Sequence, residues 1–435
     1  MSDRSSERKR ILILGGGFAG VYTALHLDRL KSQSPELDVT LVSRDNYFLT
    51  TPLLFEAGSG VLEPRHVVNP IRPLLHRARF IEAQVKQIDV ERKVVSICPS
   101  NADEIEELGF DHLVLALGGV TNTSLVPGAD QGLTFKTLGD AIFLRNHIIR
   151  LFEWADVEKD AHKKKAQLTF VIVGGGLVSV ELMGEMTTFV KNVARLYKNV
   201  DAREIRFEMI ESGPRIAAEF DDGLADYAAT VLKRRGVNIQ TNTRVKSIGK
   251  EEVELPDGRK IESRTIVVAT GVIPSPLIAE LPLAKDHKGR VKTDATMRAE
   301  GRNDIWALGD CAAIPDPTGK PYPALAQHAL REARQMAKNI DAVIHGQTPG
   351  PFIYSSKGTL AALGEFKGIA RIYKFKFHGF PAWWIWRTYY LFQLPQWRRR
   401  LRVVIDWTVA LFFTNDVVQL DLSHGNRTQP QPAQK

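Results

Sequence analysis

Two strand–glycine–helix units constrain the fold of this chain more than any other feature of its sequence. The first begins with the apolar residues 11–14, continues through Gly15, Gly17 and Gly20, and leads into apolar residues at helical spacing over 21–30. A continuous apolar run is typical of a parallel strand that is buried on both faces. In such a unit the first glycine permits a tight turn, the second lets a phosphate approach the backbone, and the third lets helix and strand pack closely. The phosphate would lie at the helix N-terminus, where free N–H groups favour an anion.

The second unit has an apolar strand, a turn with Gly174 and Gly176, and a helix that begins soon after. Ser179 replaces the third glycine and is small enough for a slightly wider contact between helix and strand. The next strand ends at Glu211, whose carboxylate would accept hydrogen bonds from both hydroxyls of an adenosine ribose and repel a 2′-phosphate. This unit is therefore predicted to prefer NADH to NADPH, although Arg215 nearby weakens that preference. Two units predict two dinucleotide sites, and a duplicated fold with one vacant site is the alternative.

The ends of other strands provide further candidate ligand contacts. Ser43 follows the second strand of the first unit, where an acid is usual, and it can still hydrogen-bond a ribose hydroxyl. Arg44 either lies over an adenine or is simply solvated. Other apolar strands end at Gly118, Gly271 and Asp310. Because ligands of parallel sheets bind outside the carboxyl ends of the strands, Asp310 is expected to meet a cofactor, and capping the following helix is its alternative role.

The composition is that of a globular protein in a reducing compartment. A length of 435 residues suits two domains plus an appendage, and a hydrophobic content of 44% argues against large-scale disorder. Two cysteines, Cys98 and Cys311, make neither a disulfide framework nor a zinc site, and no metal site is expected. Cys311 is predicted to be a small buried filler. The polar N-terminus does not resemble a secretory signal, and no stretch approaches the ~20 uninterrupted apolar residues that a spanning helix needs.

The C-terminal part of the chain differs from the rest in charge and aromatic content. Residues 350–435 contain 12 basic and 4 acidic residues, whereas the remainder contains 46 of each. Five of the seven tryptophans also lie there: Trp383, Trp384, Trp386, Trp397 and Trp407. Tryptophan favours the bilayer interface and arginine attracts anionic headgroups, so the pattern predicts an amphipathic membrane-anchoring region. A buried dimer interface is the alternative, and the site chemistry gives nucleic-acid binding no support.

The chain resembles the flavoproteins with two dinucleotide-binding domains and, more closely, the type II (alternative, non-proton-pumping) NADH:quinone oxidoreductases. The resemblance covers residues 10–422. It is carried by the two glycine turns, the Thr-Pro-Leu-Leu-Phe-Glu-Ala segment at 51–57, Ala-Leu-Gly-Asp at 307–310, Ala326-Gln327 and the aromatic–basic tail. The glycine turns and the Gly-Asp pair are common to the superfamily, so the other three elements discriminate best. Disulfide reductases of this superfamily need two neighbouring cysteines after the first helix, which this chain lacks.

The resemblance implies that FAD lies on the first unit and NADH on the second. The residues expected at these two cofactors are Gly15, Gly17, Phe18, Ala19, Gly20, Ser43, Arg44, Thr51, Val85, Gly118, Gly174, Gly176, Leu177, Val178, Glu181, Glu211, Gly271, Asp310, Ala326 and Gln327. Among them, Val85 is expected to present its backbone to the adenine.

Three residues are expected to take part in catalysis. Glu181, early in the second helix, would face the nicotinamide or accept a proton, and its alternative role is to complement the helix dipole. Quinone would reach the flavin between Ala326-Gln327 and the tail. Gln327 would contact it, or would only bond backbone. The family commonly has a second glutamine at the position of Arg331, which either donates to a quinone carbonyl or turns to solvent.

The predicted fold class is α/β, with two Rossmann-like dinucleotide-binding domains, one inserted in the other, and a C-terminal amphipathic membrane-anchoring region. The FAD domain is assigned to residues 1–130 and 272–348, the NADH domain to 131–271, and the membrane-association region to 349–435. The predicted function is transfer of a hydride from NADH to FAD and of two electrons to a membrane quinone, on the cytoplasmic face of the cell membrane. A homodimer is left open. The alternatives are an oxygen or protein acceptor and a redox sensor without turnover.

Overall fold

A computed structural model describes residues 8–31, 34, 36–100, 104–414 and 416–420 of the chain. The parts of the predicted domains at 1–7 and 421–435 lie outside the described residues. The described chain forms two α/β domains, each built around a parallel sheet, and a C-terminal domain that packs against both.

The helices and strands follow one another along the chain in four segments. The first contains β1 (Lys9–Leu14), α1 (Phe18–Leu30), β2 (Leu37–Ser43), β3 (Tyr47–Leu49), α2 (Leu54–Gly58), β4 (Val68–Pro70), β5 (Arg79–Asp89), β6 (Val94–Pro99), β7 (Glu106–Gly109), β8 (His112–Leu115) and β9 (Gly119–Thr121). The second contains α3 (Leu138–Val157), α4 (Ala161–Gln167), β10 (Thr169–Val173), α5 (Leu177–Ala194), β11 (Arg206–Ile210), α6 (Asp222–Arg234), β12 (Val237–Gln240), β13 (Ser247–Ile248), β14 (Glu252–Glu254), β15 (Lys260–Glu262) and β16 (Thr265–Val268). The third contains β17 (Val272–Pro274), α7 (Pro276–Ala279), β18 (Val291–Lys292), β19 (Ile305–Ala307), β20 (Ala312–Ala313) and α8 (Ala326–Ile344). The fourth contains β21 (Gly358–Ala362), β22 (Gly368–Ile372), β23 (Phe375–His378), α9 (Phe380–Gln393) and α10 (Trp397–Phe412).

The first domain is built on a seven-stranded sheet in the order β19-β8-β1-β2-β5-β6-β7. The five strands from β19 to β5 are parallel, and β6 and β7 extend the sheet in antiparallel fashion. Strand β1 is central, with Leu14 beside Val42 on one side and Leu115 on the other. Its last four side chains are buried, as expected for a central strand of a parallel sheet that is covered on both faces. Helices α1 and α8 pack against each other beside this sheet.

The second domain has a four-stranded parallel sheet in the order β12-β11-β10-β16. All five side chains of β10 are buried, as the apolar run in the sequence predicted. Helix α3 starts at a capping box in which Thr137 and Asp140 satisfy each other's backbone N–H groups. A small antiparallel sheet, β13-β14-β15, closes one side of this domain.

The chain leaves the first domain through β9 and returns through β17, and these two strands pair with each other in antiparallel fashion. Val126 and Ala129 already pack in a core cluster of the second domain. The change of core occurs at the paired connections, near residues 121 and 272, whereas the sequence-based boundary was drawn after residue 130.

The C-terminal domain is a folded unit as well as a surface region. Its sheet, β21-β22-β23, packs against α9, and α10 follows. Trp386 and Trp407 pack with Leu53 and Ala57 of the first domain, while Leu363 joins the core of the second. Part of the aromatic content that the sequence assigned to a membrane surface is therefore internal. Within the described residues, no helix combines the length and the apolarity needed to cross a bilayer.

Candidate active site

The first glycine turn, between β1 and α1, has the shape that a pyrophosphate requires. Gly15 has φ +116°, and a Cβ there would lie 2.1 Å from the carbonyl oxygen of Ala116. A Cβ on Gly20 would lie 1.9 Å from the carbonyl oxygen of Gly15, so both outer glycines are required by close packing. By contrast, a Cβ on Gly17 would meet nothing within 4 Å, and α1 begins there without a side-chain cap. The open middle of the turn and the free helix N-terminus fit the phosphates of FAD.

The residues predicted for the adenosine end of FAD lie along the edge beside this turn. Ser43 is buried, and its Oγ lies over Gly16, where a Cβ would come within 2.2 Å of it. The Arg44 side chain is mostly exposed and forms an ion pair of 3.4 Å with Asp45. Val85 is half-buried at a β-bulge of β5.

Phe18 and Ala19 follow the turn in the first helical residues of α1. The Phe18 ring meets the Phe48 ring edge-on at 4.8 Å, and Ala19 is buried. Thr51 is exposed at the start of a short 3-10 helix. These three residues occupy different surroundings, and their contact with FAD stays a prediction.

Asp310 lies in a tight turn that follows β19. Gly309, with φ +72°, donates its N–H to Glu332 of α8 at 2.8 Å. Glu332 is buried, and burial raises the pKa of its carboxyl to about 7. Asp310 also lies 3.8 Å from the ammonium of Lys136. Cys311 is fully buried and its thiol donates to backbone carbonyls, which agrees with the predicted filler role.

The second glycine turn, between β10 and α5, repeats the geometry of the first. Gly174 has φ +121°, and a Cβ there would lie 2.3 Å from the carbonyl oxygen of Ala269. Gly176 begins α5 without a side-chain cap. The N–H of Leu177, the next residue, points at Glu219 at 3.4 Å. The turn therefore presents a second helix N-terminus that can hold a dinucleotide phosphate.

Glu211 occupies, in the second turn, the place that Ser43 occupies in the first. Its Oε2 would lie 2.9 Å from a Cβ on Gly175, so the carboxylate rests directly on the turn. Oε1 accepts the N–H of Gly213 at 2.5 Å. Val178 is exposed at the start of α5, and Gly271, with φ +105°, follows β16 next to open space.

The carboxyl ends of the two sheets meet where the two domains are joined. Gly118 lies between β8 and β9, and Gly271 lies between β16 and β17. A Cβ on either glycine would meet nothing within 4 Å. Since β9 and β17 pair, the carboxyl ends of both sheets lie next to this strand pair, which we call the β9–β17 crossing. Ligands on the two turns would approach each other there.

Glu181 lies in α5 but contacts the C-terminal domain. Its Oε1 accepts the backbone N–H of Ala362 at 3.0 Å and the indole N–H of Trp386 at 3.1 Å. Burial raises the pKa of the carboxyl to about 8, against the opposing effect of these two donors. The side chain is thus poised to hold or release a proton near neutral pH. Both donors come from outside α5, so the C-terminal domain takes part in holding this carboxyl.

Gln327 and Arg331 lie one turn apart on α8 and share a cluster with the segment before β21. The Gln327 amide donates to Ser356 Oγ at 3.1 Å and to the Gly358 carbonyl at 3.2 Å. The Tyr354 hydroxyl donates to Gln327 Oε1 at 3.4 Å. Arg331 donates to the Gln327 backbone carbonyl and lies 4.5 Å over the Tyr354 ring. Arg331 is therefore held in the cluster rather than turned fully to solvent.

Helix α8 begins at Ala326 without a side-chain cap, which leaves its first N–H groups for a ligand. Behind the cluster, His328 is buried and meets the Tyr354 ring edge-on at 5.2 Å. Burial, helped by Arg331, lowers the pKa of His328 to about 4. The imidazole is therefore neutral at physiological pH. Tyr354 and His328 were missed from the sequence, since neither belongs to the segments that carry the resemblance.

A buried charged network joining the first domain to the C-terminal domain was also missed. Glu56 of α2 accepts two hydrogen bonds from Arg387 of α9, at 3.0 and 2.8 Å, and one from the Trp407 indole of α10 at 2.6 Å. The Arg387 guanidinium lies between the rings of Trp383 and Trp407, at 4.0 and 4.7 Å. Beside this network, burial and then Glu56 raise the pKa of Glu185 to about 7. A lone arginine within an aromatic stretch was the available signal.

Comparisons with known proteins agree with this architecture. Residues 9–333 match the family model for pyridine nucleotide-disulphide oxidoreductases, and residues 356–416 match the NDH2 C-terminal domain. A probable NADH dehydrogenase of Dictyostelium discoideum is 30% identical over 94% of this chain and 91% of its own length. A type II NADH:quinone oxidoreductase of Staphylococcus haemolyticus is 30% identical over 85% of this chain and 91% of its own length.

A solved structure shows the same fold. The NDH2 of Plasmodium falciparum, solved in complex with NADH, superposes with a TM-score of 0.87 at 22% identity, covering 95% of this chain and 100% of that one. The overall fold is thus shared, and the predicted fold class is confirmed. The chain belongs to the pyridine nucleotide-disulphide oxidoreductase family and, within it, to the type II NADH:quinone oxidoreductases.

Proposed function

We propose that this chain oxidises NADH and reduces a quinone, with FAD on the first turn and NADH on the second. The observation that carries the proposal is the convergence of the carboxyl ends of both sheets on the β9–β17 crossing. FAD, when bound, supplies a two-electron centre between donor and acceptor. The protein has to bring three planar molecules together and control the charge around them.

Glu211 would select the donor. Its carboxylate rests on the second turn, where it can accept hydrogen bonds from two ribose hydroxyls and repel a 2′-phosphate. The hydrogen bond that Glu211 accepts from the Gly213 N–H holds its side chain in place before the nucleotide binds. NADH is therefore the proposed reductant, as predicted from the sequence.

Gln327 and Arg331 would meet the quinone. Both belong to a polar cluster closed by Tyr354, at the junction of α8 with the segment that leads into β21. The amide and the guanidinium are hydrogen-bond donors suited to the two carbonyl oxygens of a quinone ring. Glu181, whose pKa is raised to about 8, would hold the proton that quinone reduction consumes.

The membrane surface is the proposed location of the enzyme. Helix α10 buries Val403 and Trp407 and leaves the opposite side apolar, with exposed Leu401, Ile405 and Val409. Basic residues 398–400 and Arg402 flank this stripe and would attract anionic headgroups. A membrane-bound quinone would then enter beside the C-terminal domain. We propose the cytoplasmic face of the cell membrane for this surface, because NADH is available there.

Anaerobic NADH oxidation tests the function directly. The purified protein, reconstituted with FAD, is mixed with NADH, and absorbance at the nicotinamide band is followed with and without a short-chain quinone. The same two measurements are repeated in air. Rapid loss of NADH only when quinone is present is the expected result. NADH loss that requires oxygen and is unaffected by quinone would favour the oxygen-acceptor alternative, and no loss with any acceptor would favour the sensor.

A homodimer through the same apolar stripe is the competing proposal for the tail. Sedimentation of the detergent-free protein distinguishes the two. A monomer that binds vesicles supports the membrane surface, whereas a stable dimer with no affinity for vesicles supports the interface between two copies.

A further inference from the structure

Lys136 lies on the connection that enters the second domain, immediately before α3, and its backbone is held on both sides. Its N–H donates to the Asp140 carboxylate at 2.8 Å. The preceding residue, Phe135, stacks on Phe55 of α2 with ring centroids 5.4 Å apart and an interplanar angle of 19°. The Lys136 main chain is thus fixed where α2 of the first domain meets the second domain.

The Lys136 ammonium points back toward the first domain, where it faces Asp310. The two groups are 3.8 Å apart, and each side chain is 32% exposed. This separation is longer than an ordinary hydrogen bond, and an ammonium has three donors. Burial lowers the pKa of Lys136, while Asp310 opposes that shift. Within the described part of the chain, a half-buried cation is therefore balanced only loosely, and donors remain for a ligand atom.

Asp310 lies beside the first glycine turn, and we call these residues together the FAD cradle. Asp310 follows Gly309, where a Cβ would lie 3.0 Å from the Cβ of Ala19 at the start of α1. Strand β17 packs against the same turn. The second domain therefore brings a positive charge to the FAD cradle, next to the crossing where the two ligands approach each other.

We propose that Lys136 is an electrostatic residue of the flavin site, whose ammonium, held beside Asp310, faces the bound FAD and favours negative charge on its ring system. This inference rests on the binding of FAD at the first turn. A positive charge near a flavin stabilises its electron-rich forms, because the interaction falls off slowly with distance in a partly buried site. An alternative is an ion pair that merely joins the two domains, and that role would leave the electronic properties of the flavin unchanged.

Sulfite measures this property without NADH, quinone or turnover. Its sulfur lone pair forms a bond to N5 of the oxidised flavin, and the displaced electron pair comes to rest on the pyrimidine side of the ring, so no other reagent is oxidised or reduced. The dissociation constant of sulfite is read from the bleaching of the flavin absorbance band in the FAD-loaded protein. Lys136→Met is expected to weaken sulfite binding at least about tenfold and to make the flavin midpoint potential more negative. Lys136→Arg, which keeps the charge, is expected to restore most of the affinity.

Lys93→Met is the matched control. Lys93 forms an ion pair of 2.8 Å with Asp304, at the opposite end of β19 from Asp310. The Lys93→Met variant also removes a lysine–aspartate pair beside β19. This pair lies at the edge of the sheet where no ligand is expected, so the sulfite affinity should not change. An unchanged sulfite affinity in Lys136→Met with FAD bound would overturn the proposal while leaving the proposed function intact.

A second uncharged variant covers the case in which Lys136→Met fails to hold FAD. Lys136→Gln retains a hydrogen-bond donor and should show the same weakening of sulfite binding. Loss of FAD from both uncharged variants, with unfolding temperatures of the FAD-free proteins unchanged, would assign Lys136 to holding the cofactor and would overturn the electrostatic role.

Discussion

At the scale of single residues, the two dinucleotide turns differ mainly in the side chain that lies against the second residue of the turn, Gly16 in the first and Gly175 in the second. In the second turn this is Glu211, whose carboxylate lies against Gly175 and is held by the Gly213 N–H. In the first turn it is Ser43, whose hydroxyl lies against Gly16. Of these two side chains only Glu211 carries a negative charge, and this difference is the physical basis for proposing that the second turn is the NADH site and the first the FAD site.

Glu211→Gln should narrow the preference of the enzyme for NADH over NADPH. The amide loses the charge that repels a 2′-phosphate and one of its two acceptor oxygens, so kcat/KM for NADH should fall about tenfold while that for NADPH stays level or rises. Steady-state rates with each nucleotide at fixed quinone concentration provide the measurement. Glu208→Gln is the control, because Glu208 lies on the same strand but bonds Asn238 and Gln240. A preference ratio that Glu211→Gln leaves unchanged would mean that the carboxylate does not meet the ribose.

At the scale of secondary structure, helix α10 packs one side against the rest of the protein and leaves apolar residues exposed on the opposite side. Val403 and Trp407 are buried, whereas Leu401 and Ile405 are 53% and 51% exposed. Truncation of the tail is a poor test of membrane binding, because it would remove Trp386 and Arg387 from the protein interior together with the exposed stripe. Substitutions confined to the stripe separate the two roles.

The double variant Leu401→Glu/Ile405→Glu should lose membrane binding and keep its activity with a short-chain quinone. Burial of the two side chains in a bilayer contributes several kcal/mol, and two new carboxylates would be repelled by anionic lipid, so vesicle binding should weaken at least about tenfold. Co-sedimentation with anionic vesicles measures it. The control is Val157→Glu/Leu196→Glu, which changes two residues of the second domain that are 75% and 64% exposed. Equal loss of binding in both variants would show that added charge alone is responsible.

The sequence predicted those features of the structure that depend on residues close together along the chain. It did not predict features that depend on contacts between residues far apart along the chain. The glycine turns, the buried strands and the parallel sheets follow from local patterns, and the strand predicted to lead into Glu211 is β11, which ends at Ile210. The direction faced by α9 could not be predicted, because it depends on Glu56 and Glu181, which lie about 200 to 330 positions earlier in the chain. Tyr354 was missed for the same reason, since its partner Gln327 belongs to helix α8, 27 positions earlier in the chain.

At the scale of the whole molecule, the buried pair of Glu56 and Arg387 connects the first domain to the C-terminal domain. Removing one partner leaves the other charge buried without compensation, so Arg387→Leu should lower the free energy of unfolding by about 3–5 kcal/mol. Urea unfolding of the FAD-loaded protein provides the measurement. Glu56→Gln/Arg387→Leu, which removes both charges, should recover part of the loss. Arg398→Leu, at an exposed arginine of α10, should have little effect, and a similar loss there would contradict the argument.

Buried carboxyls also make the stability of the whole molecule depend on pH. Burial raises the pKa of Glu181 to about 8, that of Glu185 to about 7 and that of Glu332 to about 7. A carboxyl whose pKa is higher in the folded state than in the unfolded state favours folding below the unfolded value. That contribution is lost as the pH rises through the folded value. Between about pH 4.5 and 8, these three groups therefore lower stability progressively.

Glu181→Gln should remove part of this loss, because the amide keeps an acceptor for Ala362 and Trp386 and cannot ionise. The variant should unfold at a higher temperature than the parent protein at pH 8.5, and the difference should shrink toward zero at pH 5, where Glu181 is protonated in the parent. Glu185 and Glu332 remain, so the variant should still lose some stability at alkaline pH. Glu262→Gln, at an exposed carboxylate of β15, is the control for loss of one negative charge. A stabilisation by Glu181→Gln that is the same at both pH values would show that the buried proton is not its cause.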